Sequence, residues 1–263
     1  MNDDHGLHRV DPLFDVRDRV VLVTGGSRGI GELIARAFVE RGAEVIISSR
    51  SADACHSVAE ELRQVGRCRA LPADVSTTEG IFELVRALSE ITDRLDVLVN
   101  NAGATWGAEL GSFPEFGWDK TLDLNLKSPF FLIQELLPAM RRAVTNGSPA
   151  RIINIASIDG LRPPAFESYA YAASKAGLLM LTRHLAKRLA AEQILVNAIA
   201  PGFFRTKMTK DVLADEADIV RDIPLSRLGT ASDIGGTAIF LACKASSYMT
   251  GATLVCDGGA STV

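Results

Sequence analysis

The stretch Val20-Val21-Leu22-Val23-Thr24-Gly25-Gly26-Ser27-Arg28-Gly29-Ile30-Gly31 opens with four aliphatic residues and closes on a glycine-rich turn. Beyond it Leu33, Ile34, Ala37 and Phe38 recur at helical spacing, so the segment reads as strand, tight turn and helix. The pattern repeats along the chain. Apolar runs at 44–48, 69–72, 95–99, 151–155, 195–199 and 253–256 alternate with amphipathic stretches such as 51–65, 78–92 and 231–242. Consecutive parallel strands need a crossover, so this order predicts a single α/β domain with a seven-stranded parallel sheet, doubly wound, with helices on both faces. Residues 1–14 read as a polar arm and 15–263 as the domain. Ligands of such sheets bind beyond the carboxyl ends of the strands, which directs attention to the residues just after each apolar run.

Composition narrows the function. With 263 residues, 47% hydrophobic and 23% charged, the chain can bury one substantial core. A net charge of −4 gives no basic face for nucleic acid or an anionic membrane. The longest apolar runs, such as 194–200, are too short to span a bilayer, and the acidic, polar start is unlike a signal peptide, so the expected compartment is the cytoplasm. Cys55, Cys68, Cys243 and Cys256 have neither metal-site spacing nor disulfide density, and His5, His8, His56 and His184 are scattered. The cysteines read as reduced and structural, and no metal is expected.

The motifs after the strands fit a dinucleotide. Gly25, Gly29 and Gly31 remove Cβ atoms where the chain must turn tightly and approach a pyrophosphate, and the helix start around Ser27, Arg28 and Ile30 offers free N–H groups. The glycine spacing differs from the usual Rossmann fingerprint, and a plain strand-to-helix turn is the alternative. Asp74 and Val75 follow the third run, where a carboxylate can accept from an adenine amino group; an N-cap for the next helix is equally open. Asn101, Ala102 and Gly103 follow the fourth, leaving room for ribose. Pro201, Gly202 and Thr206 follow the sixth and suit a nicotinamide carboxamide, although Pro-Gly is also an ordinary turn. An acidic strand end would accept from a ribose 2′-hydroxyl, whereas the second run ends Ser48-Ser49-Arg50. Arg50 and Arg28 could clamp a 2′-phosphate, which favours NADP over NAD.

Tyr171 and Lys175 lie four residues apart in Tyr-Ala-Ala-Ser-Lys, on one face of a predicted helix. A phenol becomes a useful acid–base group near neutrality when an ammonium favours its anion, and Lys175 can supply that charge. Tyr169 sits about 240° further round the helix from Lys175. Ser157, past the fifth run, could bond a substrate carbonyl and the phenol together, or simply cap a turn. Asn125 interrupts an apolar helical run, either as a satisfied buried amide or as part of the site. The predicted helices carrying these residues span 118–143 and 168–191.

Together these residues resemble the short-chain dehydrogenase/reductase family from about Asp15 to Gly259, including Thr250-Gly251 and Asp257-Gly-Gly259. The resemblance implies a Rossmann fold, NADP as cofactor and a homotetramer built on the two long helices and the C-terminal segment. It implies that Ser157 orients a carbonyl, Tyr171 transfers the proton, Lys175 binds nicotinamide ribose and Asn125 holds a water in a proton relay. Within the family the chain is most similar to 3-oxoacyl thioester reductases, including the rhamnolipid-associated type. Reductases of acyl carrier protein often carry docking arginines where this chain aligns Phe131 and Glu192, which favours a coenzyme A thioester or a free ketone. A sugar-acid or polyol dehydrogenase shares the catalytic set and differs in the pocket, expected at 158–168, Trp106 and 203–223; Phe166, Phe203, Phe204, Met208 and Leu213 make that region apolar. A non-catalytic dinucleotide sensor would have lost Tyr171, Lys175 or Ser157, and none is lost.

Overall fold

A computed structural model describes residues 11–145, 148–206 and 216–262. Met208 and Leu213 lie outside the described residues, as do His5 and His8 of the arm. In chain order the elements are β1 (Val20–Thr24), α1 (Gly29–Val39), β2 (Glu44–Ser48), α2 (Ala52–Arg63), β3 (Arg67–Ala70), α3 (Thr78–Ser89) and β4 (Val97–Asn100). The second half adds α4 (Glu115–Leu122), α5 (Ser128–Ala143), β5 (Ala150–Ile155), α6 (Tyr169–Leu189), β6 (Ile194–Pro201), α7 (Glu216–Arg221), α8 (Ala231–Ala242) and β7 (Thr253–Cys256). The strands form one parallel sheet in the order β3-β2-β1-β4-β5-β6-β7. The order reverses between β1 and β4, so a crevice opens beyond their carboxyl ends.

Alternate strand residues feed two apolar layers, because side chains leave a strand on opposite faces. Val21, Val23, Val97 and Val99 pack with Ile34 and Phe38 of α1, Leu62 of α2 and Ile234 of α8. Leu22, Leu98 and Ile152 pack with Leu84 and Leu88 of α3 and Leu132 and Leu136 of α5 on the other face. Each such side chain, fully buried, stabilises the fold by roughly 1.5–3 kcal/mol before entropy is counted. The opposite, amino-terminal edge of the sheet is held by charge. Asp96 accepts from the Val20 N–H at 2.9 Å and lies near Arg19 and Arg94, while the buried Arg151 donates to the carbonyls of Pro149 and Cys243 and to Ser247 Oγ. Cys55, Cys68 and Cys243 are buried and all four cysteines are free thiols. Among the described residues no helix is long and apolar enough to cross a membrane.

Two elements differ from the sequence reading. The expected helix over 118–143 starts earlier, at Glu115, and widens into a π turn at Asp123–Lys127 before continuing as α5. The expected helix over 168–191 is α6 followed by a tight turn at Ala190–Glu192, closed by Gln193 at φ 55°.

Candidate active site

The turn after β1 depends on absent side chains. Gly25 has φ +64°, and a Cβ on Gly31 would stand 2.3 Å from Asn101 Nδ2 and 2.4 Å from the Gly25 carbonyl oxygen. That gap is filled by Asn101, whose Nδ2 donates to the Thr24 and Gly25 carbonyls at 2.9 and 3.2 Å. Thr24 Oγ1 accepts from the Asn101 and Ala102 amides, so the turns after β1 and β4 are pinned to each other. Gly31 thus serves close approach and does not line the cleft. Helix α1 begins with Arg28 in the N-cap position and no side chain bonded to its first N–H groups.

A cleft of about 630 Å³ runs along the carboxyl ends of the strands. Gly25, Ser27, Arg28, Gly29 and Ile30 line it at one end with Arg50; Asp74, Val75, Asn101, Ala102 and Gly103 line its floor. Ser157, Tyr171, Lys175, Pro201, Gly202 and Thr206 line it as well, so the structure gathers all but two of the residues singled out from sequence. Arg28 and Arg50 are exposed, and neither forms an ion pair among the described residues. Asp74 is not an N-cap: Thr77 caps α3 by accepting from Gly80 N at 3.0 Å, while Asp74 Oδ1 accepts from the amide and hydroxyl of Ser76.

A dinucleotide phosphate suits this end. The open helix start offers unpaired donors to an anion, two exposed guanidiniums flank it, and the buried Ser48 Oγ on the cleft wall has no hydrogen-bond partner.

Tyr171 and Lys175 share one face of α6, with Lys175 Nζ 5.6 Å from the Tyr171 ring centre. Lys175 is buried and its Nζ donates to the Ile155 carbonyl at 2.7 Å. Burial lowers its pKa to about 8. Burial pushes the Tyr171 phenol up to about 12, a hydrogen bond with Ser157 pulls it down, and the Asp159 charge pushes it up. Lys175, expected from its spacing to lower the phenol, contributes no such lowering in the chain alone; Ser157 does, and desolvation outweighs it. Besides its bond to the phenol, Ser157 caps its own turn, its Oγ accepting from the Asp159 amide at 3.1 Å.

Asn125 is the second residue off the cleft. It sits in the π turn, 1% exposed, and grips the strand β4 loop by accepting from Ala104 N at 2.8 Å and donating to Ala104 O at 2.9 Å. Its Nδ2 also donates to Ser174 Oγ, which bonds the Tyr171 carbonyl. Two-way clamping of a loop is the satisfied-amide reading.

The expected pocket at 158–168 and 203–223 is redistributed. Ile158 and Phe203 pack with Ile223 and Ala260 in a small separate core, and Phe204 is 2% exposed against Gly229; of these only Phe204 reaches the cleft. Trp106 stacks edge-on with Phe116 and carries Lys120 Nζ 5.4 Å above its ring. Lys120, Ser49, Ser51 and Thr105 line the cleft and were not singled out from sequence. Ser49 and Ser51 flank Arg50, so the strand-end argument could have reached them; Lys120 depends on how α4 folds over the sheet and leaves no local signal.

A family model described as enoyl-(acyl carrier protein) reductase matches residues 25–261. A rhamnolipid-biosynthesis 3-oxoacyl-[acyl-carrier-protein] reductase of Pseudomonas aeruginosa is 47% identical over 251 residues, covering 94% of this chain and 98% of that protein. A 2-dehydro-3-deoxy-D-gluconate 5-dehydrogenase of Bacillus subtilis is 39% identical, covering 94% of this chain and 96% of the other. The solved structure of Pseudomonas aeruginosa RhlG in an active-site complex with NADP superposes with a TM-score of 0.92 at 46% identity, covering 95% of this chain and 99% of that one.

Proposed function

The chain belongs to the short-chain dehydrogenase/reductase family, and from that premise we propose that it is an NADPH-dependent carbonyl reductase acting on 3-oxoacyl thioesters. The observation that carries this is the single cleft joining an uncapped, arginine-flanked helix start to Ser157, Tyr171 and Lys175. The relatives named for 3-oxoacyl reduction and the NADP complex of a 46% identical structure supply the substrate and cofactor classes.

When bound, NADPH would supply the hydride. Ser157 Oγ, on the strand β5 side, donates to the carbonyl oxygen and offsets charge that develops there. Tyr171 delivers its phenolic proton to that oxygen as the alcohol forms. Lys175 holds its ammonium beneath the tyrosine ring and binds ribose hydroxyls, which favours the phenolate left after transfer. Arg28 and Arg50 would hold a 2′-phosphate, and Asp74 would accept from the adenine amino group. Asn125 is a positioning residue that holds the loop 101–104 through Ala104.

Glu192 is ion-paired with Arg141 at 2.7 Å, and Phe131 packs against Phe130 and the core, so neither aligned position presents a free cation to an acidic carrier. Coenzyme A is therefore the preferred thioester carrier. A second reading, oxidation of a sugar acid, draws on the 39% identical gluconate-type relative. An NADPH-oxidation screen separates them: acetoacetyl-CoA and longer 3-oxoacyl-CoA esters are expected to turn over faster than keto-sugar acids, and the reverse ranking refutes the thioester assignment. Exposed Phe130 on α5, Met180 on α6, Tyr248 before β7 and Val255 on β7 support a homotetramer. Light scattering at micromolar concentration should return four times the 28.2 kDa chain mass, and a monomer overturns it.

A further inference from the structure

The two long walls of the cleft belong to opposite layers of the sheet. Helix α1, whose open start lines one wall, packs through Ile34 and Phe38 into the layer of Val21 and Val23. Leu124 of the π turn lines the other wall and packs into the layer of Leu22 and Leu98, together with Ala73 and Val75. Four residues earlier, on the same helical face, Lys120 of α4 also lines the cleft. Its ammonium has a built seat. Nζ lies 5.4 Å from the Trp106 ring centre, and Trp106 is set edge-on to Phe116 with centroids 4.7 Å apart. The indole rests on bare backbone at Gly117, where a Cβ would come within 2.7 Å of the ring. Such a seat attracts a cation through the ring's negative face and leaves its N–H donors for another group. Lys120 has no hydrogen bond or ion pair with any described residue, and Asp123, three residues on, is taken by Lys127 at 3.1 Å.

The charge of the cleft matches an anion held between both walls. Its described lining carries Arg28, Arg50, Lys120 and Lys175 against one carboxylate, Asp74, in a chain of net charge −4. Lys175 is buried with Nζ on the Ile155 carbonyl, and the two arginines flank the start of α1, which leaves Lys120 as the cation of the α4 wall. We infer that Lys120 is a phosphate-binding residue for the dinucleotide: it closes on the diphosphate from the α4 wall, while the N–H groups at the start of α1 receive it from the other. The inference rests on the dinucleotide reading of the cleft. A diphosphate is common to NADPH and NADH, so Lys120 helps to hold either, whereas Arg28 and Arg50 tell them apart. The adenosine diphosphate of a coenzyme A thioester offers the same chemistry. The dinucleotide is the favoured source because Leu124, one turn along from Lys120, packs with Ala73 and Val75, which flank Asp74 at the expected adenine position.

The test is the dissociation constant of NADPH and of NADH, by isothermal titration calorimetry on the whole chain. The set is wild type, Lys120→Met, Lys120→Arg and the Arg28→Ala, Arg50→Ala double variant. Lys120→Met keeps an apolar stem on Trp106 but removes the charge, and should weaken both cofactors alike, by about fivefold. Lys120→Arg should restore both constants, and the double variant should lose affinity for NADPH alone. Because the attraction is between charges in an open cleft, the loss in Lys120→Met should shrink as salt is raised to about 1 M. Unchanged constants in Lys120→Met overturn the proposal, as does a loss confined to NADPH or one that salt and Lys120→Arg leave untouched. A further arm separates the sources. If both constants hold in Lys120→Met while KM rises for acetoacetyl-CoA but not for acetoacetyl-N-acetylcysteamine, which lacks the phosphates, the phosphate is that of coenzyme A and the dinucleotide assignment is wrong. Failure of wild type to bind either dinucleotide sinks the proposed function itself, whereas wild-type binding with an unmoved Lys120→Met refutes only the role of Lys120.

Discussion

Helices α1 and α8 lie side by side on one face of the sheet, and their starts are built in opposite ways. Ala37 of α1 approaches so closely that a Cβ on Gly235 of α8 would stand 2.7 Å from its own. At the start of α8, Thr230 and Asp233 form a reciprocal capping box and Arg227 grips Asp233 with two hydrogen bonds of 2.7 and 3.0 Å. At the start of α1, no side chain caps the helix and Arg28 is exposed at the cleft. An uncapped start leaves donors unsatisfied and costs stability, typically about 1 kcal/mol relative to a good cap. In this pair the helix away from the cleft is closed by side chains, while the helix that opens onto the cleft has no side-chain cap, a feature it shares with the starts of α4 and α6.

Breaking the chemistry of the open side should give the largest effect. Tyr171→Phe keeps the packing volume but removes the transferable proton, and turnover should fall at least a hundredfold, or about 2.7 kcal/mol in barrier. Steady-state assay beside Tyr169→Phe, which should stay within a few-fold of wild type, checks that the loss belongs to the acid and not to the helix. Weakening the capped side should give the smallest effect. Thr230→Ala should lower stability by about 1 kcal/mol in urea titrations and leave kcat/KM unchanged. The same cap predicts a pH dependence. Arg227 and Thr230 hold the Asp233 carboxyl well below the usual carboxylate range. Its contribution is thus present above the unfolded pKa and lost as pH falls through the depressed native value. Acid melts of Thr230→Ala should show a flatter loss than wild type.

The strand ends were legible because each motif is local. Gly25, Asn101 and Ser157 follow apolar runs whose register the sequence already marks, and parallel order then brings them to one edge. The α6 spacing placed Tyr171 and Lys175 together for the same reason. What escaped was set by long-range packing. The π turn that holds Asn125 spans only five residues and leaves no periodicity of its own. Ile158 and Phe203 read as pocket walls, yet they meet Ile223 and Ala260, partners far away in sequence, and become core. Asp74 lost the cap to Thr77 because the hydroxyl, three residues before Gly80, has the right reach. The elevated phenol of Tyr171 was hidden too, since burial follows from tertiary packing and sequence shows only the neighbouring charge.

The open start of α1 is flanked by Arg28 at its N-cap and Arg50 after β2, neither ion-paired among the described residues. The measurement is kcat/KM for NADPH and NADH on the best thioester substrate, in wild type and in the Arg28→Ala, Arg50→Ala double variant. Loss of charge-assisted contacts to a 2′-phosphate costs more than about 1.4 kcal/mol, so wild type should prefer NADPH at least tenfold and the double variant should narrow that gap. Equal efficiencies with the two cofactors in wild type, or a preference untouched by the double substitution, would contradict it.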